Sequence, residues 1–69
     1  MKISARNVLT GKVAKITEGT VNTEVILELP GGVPIVSMIS KESASKLKLK
    51  KGKKAYAIIK ASAVMIATD

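Results

Sequence analysis

Between residues 21 and 29 polar and apolar positions alternate. Val21, Thr23, Val25, Leu27 and Leu29 fall on one face, and Asn22, Glu24, Ile26 and Glu28 on the other. A period of two belongs to a β-strand. Upstream, residues 11–17 mix Val13, Ala14 and Ile16 with Lys12, Lys15 and Thr17, and predict a first strand that closes in a turn at Glu18, Gly19 and Thr20. Downstream, Pro30-Gly31-Gly32 is turn chemistry, because proline presets φ and glycine tolerates positive φ. It leads into Val33, Pro34, Ile35, Val36, Ser37, Met38 and Ile39, so that the second and third strands form a hairpin. Pro34 cannot donate a ladder hydrogen bond and belongs at the start of its strand or at an edge.

The pattern then changes. Ser40 reads as a helix N-cap, Glu42 is an acidic residue suited to the first turn, and Ala44 and Leu47 are spaced for one helical face. About two turns of helix are expected before the lysine-rich stretch that includes Gly52. Residues 55–59 and 63–67 read as two further strands joined across Lys60, Ala61 and Ser62. Three strands, a short helix and two strands, with no room for βαβ crossovers, is the element order of an all-β, five-stranded OB-fold barrel. The helix then lies between strands 3 and 4.

At 69 residues the chain has room for one domain, 1–69, and one this small is marginal as an isolated monomer. With no Cys and no His, neither disulfides nor a zinc site can staple it, which leaves oligomerisation. The amino-terminal residues contain no apolar run of signal-peptide length, and no stretch is long and apolar enough to span a membrane. A cytoplasmic protein with no membrane association is therefore expected. The net charge of +7 favours an anionic partner.

Catalysis is limited by inventory. The acids are Asp69 and the glutamates Glu18, Glu24, Glu28 and Glu42; without His or Cys, an activated nucleophile and its base are both missing, and no enzyme activity is expected. Clusters of cation ligands fail for the same reason. Oxyanion donors are present. Ser4, Arg6 and Asn7 supply a hydroxyl, a guanidinium fork and a carboxamide within four residues. A second set lies at Lys60, Ala61 and Ser62, and a third at Ser40 and Ser43, where capping is the commoner use of such a serine. The lysines between residues 46 and 54 suggest nucleic acid, but Tyr56 is the only aromatic residue, which leaves no series of platforms for base stacking.

In order and spacing the residues resemble the molbindins, small molybdate-binding proteins of the TOBE/Mop family. The resemblance covers nearly the whole chain: Ser4-Ala-Arg-Asn7, Gly11 before the Val13 strand, Gly19-Thr-Val-Asn-Thr-Glu-Val25, Ile39-Ser40 and Ser43 ahead of Leu47, Gly52-Lys53, and Lys60-Ala-Ser62. It implies a hexamer, a trimer of dimers, holding molybdate or tungstate at subunit interfaces without any cofactor. It further implies that Ser4 and Arg6 of one chain meet Ser43, Lys60 and the backbone near Ala61 of a neighbour, with Ser40 as an additional candidate. For a second type of site, near a threefold axis, the candidates are Gly19, Thr20, Val21 and Asn22.

The chemistry agrees with that implication. Molybdate is a tetrahedral dianion whose metal is already coordinated by oxide. A site for it needs positive charge and many hydrogen-bond donors, not His or Cys. Intracellular storage or homeostasis of the anion is the function expected. A nucleic-acid-binding barrel is the alternative, and a regulatory domain separated from its partner domains is a third reading.

Overall fold

The computed structural model describes residues 1–69. Its elements are β1 (Asn7–Glu18), β2 (Asn22–Glu28), β3 (Pro34–Ser40), α1 (Lys41–Lys46) and β4 (Lys54–Ile59), followed by a 3-10 turn at Ala61–Ala63. The strands form one antiparallel sheet in the order β3-β2-β1-β4.

β1 organises this sheet by serving two neighbours in succession. Its first half pairs with β4, from Asn7↔Ile59 to Lys12↔Lys54, and its second half pairs with β2, from Lys12↔Glu28 to Glu18↔Thr23. At the crossover the register shifts between Val13 and Lys15. A bulge of this kind bends a strand and increases its twist, so the sheet curls into a half-barrel. Gly11 stands just before the bulge, where a Cβ would lie 2.7 Å from the Glu28 carbonyl oxygen. Only a residue without a side chain lets the end of β2 approach so closely.

The alternation in β2 is borne out. Thr23, Val25 and Leu27 are buried, and with Val13 the two hydrophobic residues form the core, against which Ile16, Ile39, Leu49, Ala55 and Ala57 pack. Three buried hydrophobic side chains make a small core. α1 begins where the sequence placed it: the Ser43 N–H donates to Ser40 Oγ at 3.0 Å. At its far end Lys53 Nζ donates to the carbonyls of Leu47, at 2.8 Å, and Lys48, satisfying acceptors that the helix leaves open.

Two expectations are corrected. β1 starts at Asn7 instead of Gly11, because pairing with β4 recruits four residues whose own pattern is uninformative. The sheet has four strands, not five. Of the strand expected at 63–67, Ala63 belongs to the 3-10 turn and the rest runs on without secondary structure. After the turn at Ala61–Ala63 the segment pairs with no strand of its own chain.

Gly11→Ala should lower stability by about 1–3 kcal/mol, the usual cost of forcing atoms into a packed site. Urea unfolding at fixed protein concentration measures it, as a lower midpoint with the slope unchanged.

Candidate functional site

The donor sets singled out in the sequence collect at two places on the sheet. At the first, the Asn7↔Ile59 pair closes the β1–β4 ladder, and Asn7 Nδ2 fixes it further by donating to the Ile59 carbonyl at 3.2 Å. The next residues outward are Arg6 on one strand and Lys60 on the other, so each of the two strands carries a cation directly beyond the pair that closes the ladder. Ser4 lies two residues beyond Arg6. Both cations are exposed, and neither has a carboxylate partner: the one ion pair in the chain is Lys46–Glu42, within α1. Lys60 also opens the 3-10 turn, with Ala63 N–H donating to the Lys60 carbonyl at 2.9 Å and Val64 N–H to that of Ala61. The N–H groups of Ala61 and Ser62 come too early in this turn to find an acceptor within it. Two positive charges, a hydroxyl and two amide donors, with no acidic residue among them, suit an oxyanion.

The second place is the other end of β1. There the residues 19–22 turn joins β1 to β2; Gly19 N–H donates to the Asn22 carbonyl at 2.8 Å, and a Cβ on Gly19 would lie 2.7 Å from that oxygen. Asn22 pairs with Ser40, and Lys41 N–H donates to the Val21 carbonyl at 2.9 Å, so the turn docks against the start of α1. Ser40 Oγ–H donates to Ser43 Oγ at 2.8 Å while accepting the Ser43 N–H. Ser40 is thereby committed to capping, and Ser43 keeps its own hydroxyl proton to offer outward. Thr20, Val21, Asn22 and Ser43 are all exposed.

The chain thus groups Arg6 with Lys60, Ala61 and Ser4, and groups Ser43 with Ser40, Gly19, Thr20, Val21 and Asn22. It does not bring Ser43 together with Lys60, the pair that the family resemblance assigns to one chain. An open cleft of about 810 Å³ lies between the β1 bulge, the Pro30-Gly31 turn and the Lys51-Gly52 turn, and contains none of these residues. Its cations, Lys12, Lys51 and Lys54, share it with Glu28, and it lacks a convergent donor set, so the ends of β1 remain the better candidates. Sequence reasoning missed the role of Lys53, although a basic residue shortly after a helix C-terminus is a recognisable signal for capping its carbonyls. It also left Asn7 out of the ladder that it closes.

Comparison with known proteins adds a family and close structural relatives. The TOBE domain model matches residues 3–66. The chain is 48% identical, over all 69 of its residues and the whole of the relative, to a probable molybdenum-pterin-binding protein of Haemophilus influenzae. The solved structure of MopII from Clostridium pasteurianum, in an apo form, superposes with a TM-score of 0.93 at 45% identity, covering 97% of this chain and 100% of that one. The molybdate-bound cytoplasmic molybdate-binding protein ModG superposes with a TM-score of 0.85 at 52% identity; the match covers 88% of this chain and 43% of ModG.

The capping geometry has a separate consequence for stability. Ser40→Ala should cost about 1 kcal/mol through loss of the N-cap, and Ser43→Ala clearly less, since its side chain caps nothing. Thermal unfolding of both variants at equal concentration measures the difference.

Proposed function

The chain belongs to the TOBE domain family, and on that footing we propose that it binds molybdate as a single small domain and serves to store or buffer it. The observation that carries this reading is the pair of uncompensated cations, Arg6 and Lys60, flanked by Ser4 and by the free amides of the turn at Ala61–Ala63. Relatives described as molybdenum-pterin-binding proteins, and a structure with molybdate bound, support the same ligand. Tungstate, of the same shape and charge, fits the same donors.

The ligand site lies between copies of the chain. Each donor group is exposed and shallow by itself, and neither encloses an anion. Ser4 and Arg6, joined by Lys60 and the Ala61 amide, meet Ser43 of a neighbouring copy. Asn22 and the turn formed by Gly19, Thr20 and Val21 supply a second site where three copies converge. A hexamer built as a trimer of dimers satisfies both requirements. The protein is not an enzyme on this reading: it holds an anion whose chemistry is done elsewhere. Its place is the cytoplasm, as ModG is described, and no helix of the structure is long and apolar enough to cross a membrane.

Nucleic acid remains the contrasting reading because of the +7 charge, and one titration separates the two. Calorimetry at moderate salt should show saturable molybdate binding and no binding of a single-stranded oligonucleotide. Arg6→Ala and Lys60→Ala should each weaken molybdate binding roughly 30-fold or more. Removing one partner from a buried, hydrogen-bonded charge pair costs about 2–5 kcal/mol, at about 1.4 kcal/mol per decade. Lys51→Ala, in the turn at Lys51-Gly52, should change little, because a distant exposed charge is screened. Equal losses in all three variants would indicate a diffuse basic surface instead of a site.

A further inference from the structure

Residues 48–54 are lysine at every position except Leu49 and Gly52. The ordinary use of such a run is a solvated, loose surface. This one is held still. Val13 N–H donates to the Lys53 carbonyl at 2.9 Å, Gly52 N–H to the Val13 carbonyl at 2.8 Å, and Lys53 N–H to the Lys50 carbonyl at 3.1 Å, which fastens the turn to the β1 bulge. Lys53 Nζ is spent on the carbonyls of Leu47 and Lys48. The other lysines of the run, Lys48, Lys50, Lys51 and Lys54, are exposed, and Lys12 joins them as the register partner of Lys54. None of these takes part in an ion pair.

Two local rules are broken on this surface. Lys12 and Lys54 are like charges directly opposite each other in an antiparallel pair, an arrangement that weakens a sheet. Lys48 stands at φ 53° just past α1, where Leu49 N–H donates to the Ala44 carbonyl and glycine is the favoured residue. Departures that cost stability within the fold are expected where a surface is used for binding.

Shape and chemistry select the occupant. The lysines line two adjoining hollows: the cleft of about 810 Å³ beside the bulge, with Lys12, Lys51 and Lys54, and a more open one of about 600 Å³ lined by Lys48, Lys50, Lys51, Gly52 and Lys53. Lys51 and Gly52 belong to both, so the two form one trough. Charges strung along a trough do not converge on a small anion; they suit an extended chain. Phosphate groups find little to hold them. The Gly52 and Lys53 amides are already donated within the turn, which leaves no amide cradle, and the lining contains no arginine fork. Nucleic acid also lacks a stacking platform, because the one aromatic ring, Tyr56, lies 5.5 Å beneath Lys54 Nζ. A second copy of the chain brings its own charge of +7 to a surface already positive. Carboxylates on a polypeptide remain. Lysine serves them as a point charge, and Leu29 and Pro30 in the cleft offer apolar contact to the residues between them. Glu28 is the one carboxylate in the lining, and its register partner is Lys12.

We propose that this trough docks an extended acidic segment of another protein, whose carboxylates pair with Lys12, Lys48, Lys50, Lys51 and Lys54. Neither Arg6 nor Lys60 lines it, so a partner held there leaves the oxyanion donors uncovered. The docking surface stands independently of the molybdate site proposed above.

Fluorescence anisotropy of the full-length protein with a labelled peptide of about a dozen residues, alternating Glu and Ala, tests the docking. Binding should saturate at roughly 50 mM salt and be lost at roughly 500 mM, and a peptide with Gln in place of Glu should not bind. The double variant Lys51→Gln, Lys54→Gln should weaken binding about tenfold, since each exposed charge pair contributes up to about fivefold. Lys2→Gln, Lys41→Gln removes the same charge elsewhere and should bind within about twofold of the wild type. Far-UV circular dichroism should show the wild-type spectrum for both. Equal losses in the two double variants, or no binding at low salt, would overturn the docking site. So would displacement of the peptide by tripolyphosphate or a single-stranded oligonucleotide at lower concentrations than by unlabelled peptide, which would assign the surface to phosphates. A molybdate titration of the wild type keeps the two sites apart. Peptide docking without molybdate binding would sink the oxyanion reading alone; molybdate binding without peptide docking would sink the docking surface alone.

Discussion

Unpaired backbone at the two rims of the curled sheet is the constraint on which the remaining features depend. β3 and β4 each present a row of N–H and C=O groups with no acceptor or donor within the chain. Beneath them the core holds three buried hydrophobic side chains, built without a single Phe or Trp. A chain in this position gains little by tightening its own fold and much by covering its rims and outer faces with another copy. Val36 and Met38 on β3, and Tyr56 and Ile58 on β4, are exposed in the single chain and add to the surface available for such cover.

The curl has one origin and several effects. Gly11 admits the Glu28 carbonyl, the bulge between Val13 and Lys15 turns β1, and β1 can then pair with β4 along one half and β2 along the other. One strand thereby carries a candidate donor group at each of its ends. Arg6 and Lys60 flank its beginning; the residues 19–22 turn, with Ser40 and Ser43, flanks its end. Groups separated by the length of β1 serve one small anion most readily when copies of the chain lie against each other.

Some of this was legible in the sequence, and the boundary is physical. The period of β2, the turn at Pro30-Gly31-Gly32 and the Ser40 cap are local signals, each decided within a few residues, and each is found as read. Arg6 and Lys60 could be singled out one at a time as donors. Their adjacency could not, because it depends on the pairing of Asn7 with Ile59, 52 residues apart in the chain. The early start of β1 was hidden for the same reason. The fifth strand failed differently: residues 63–67 have the composition of a strand, but composition does not specify a partner, and the chain provides none.

In the molybdate site proposed for this chain, Arg6 comes from one copy and Ser43 from another. Two variants, Arg6→Ala and Ser43→Ala, should each bind molybdate poorly alone. When they are unfolded together in equal amounts and refolded, random assembly gives roughly one quarter of the sites both native residues, if the two come from different chains. Calorimetry of the mixed sample should therefore recover about a quarter of the wild-type stoichiometry at wild-type affinity. No recovery from a mixed, fully assembled oligomer would contradict the shared site.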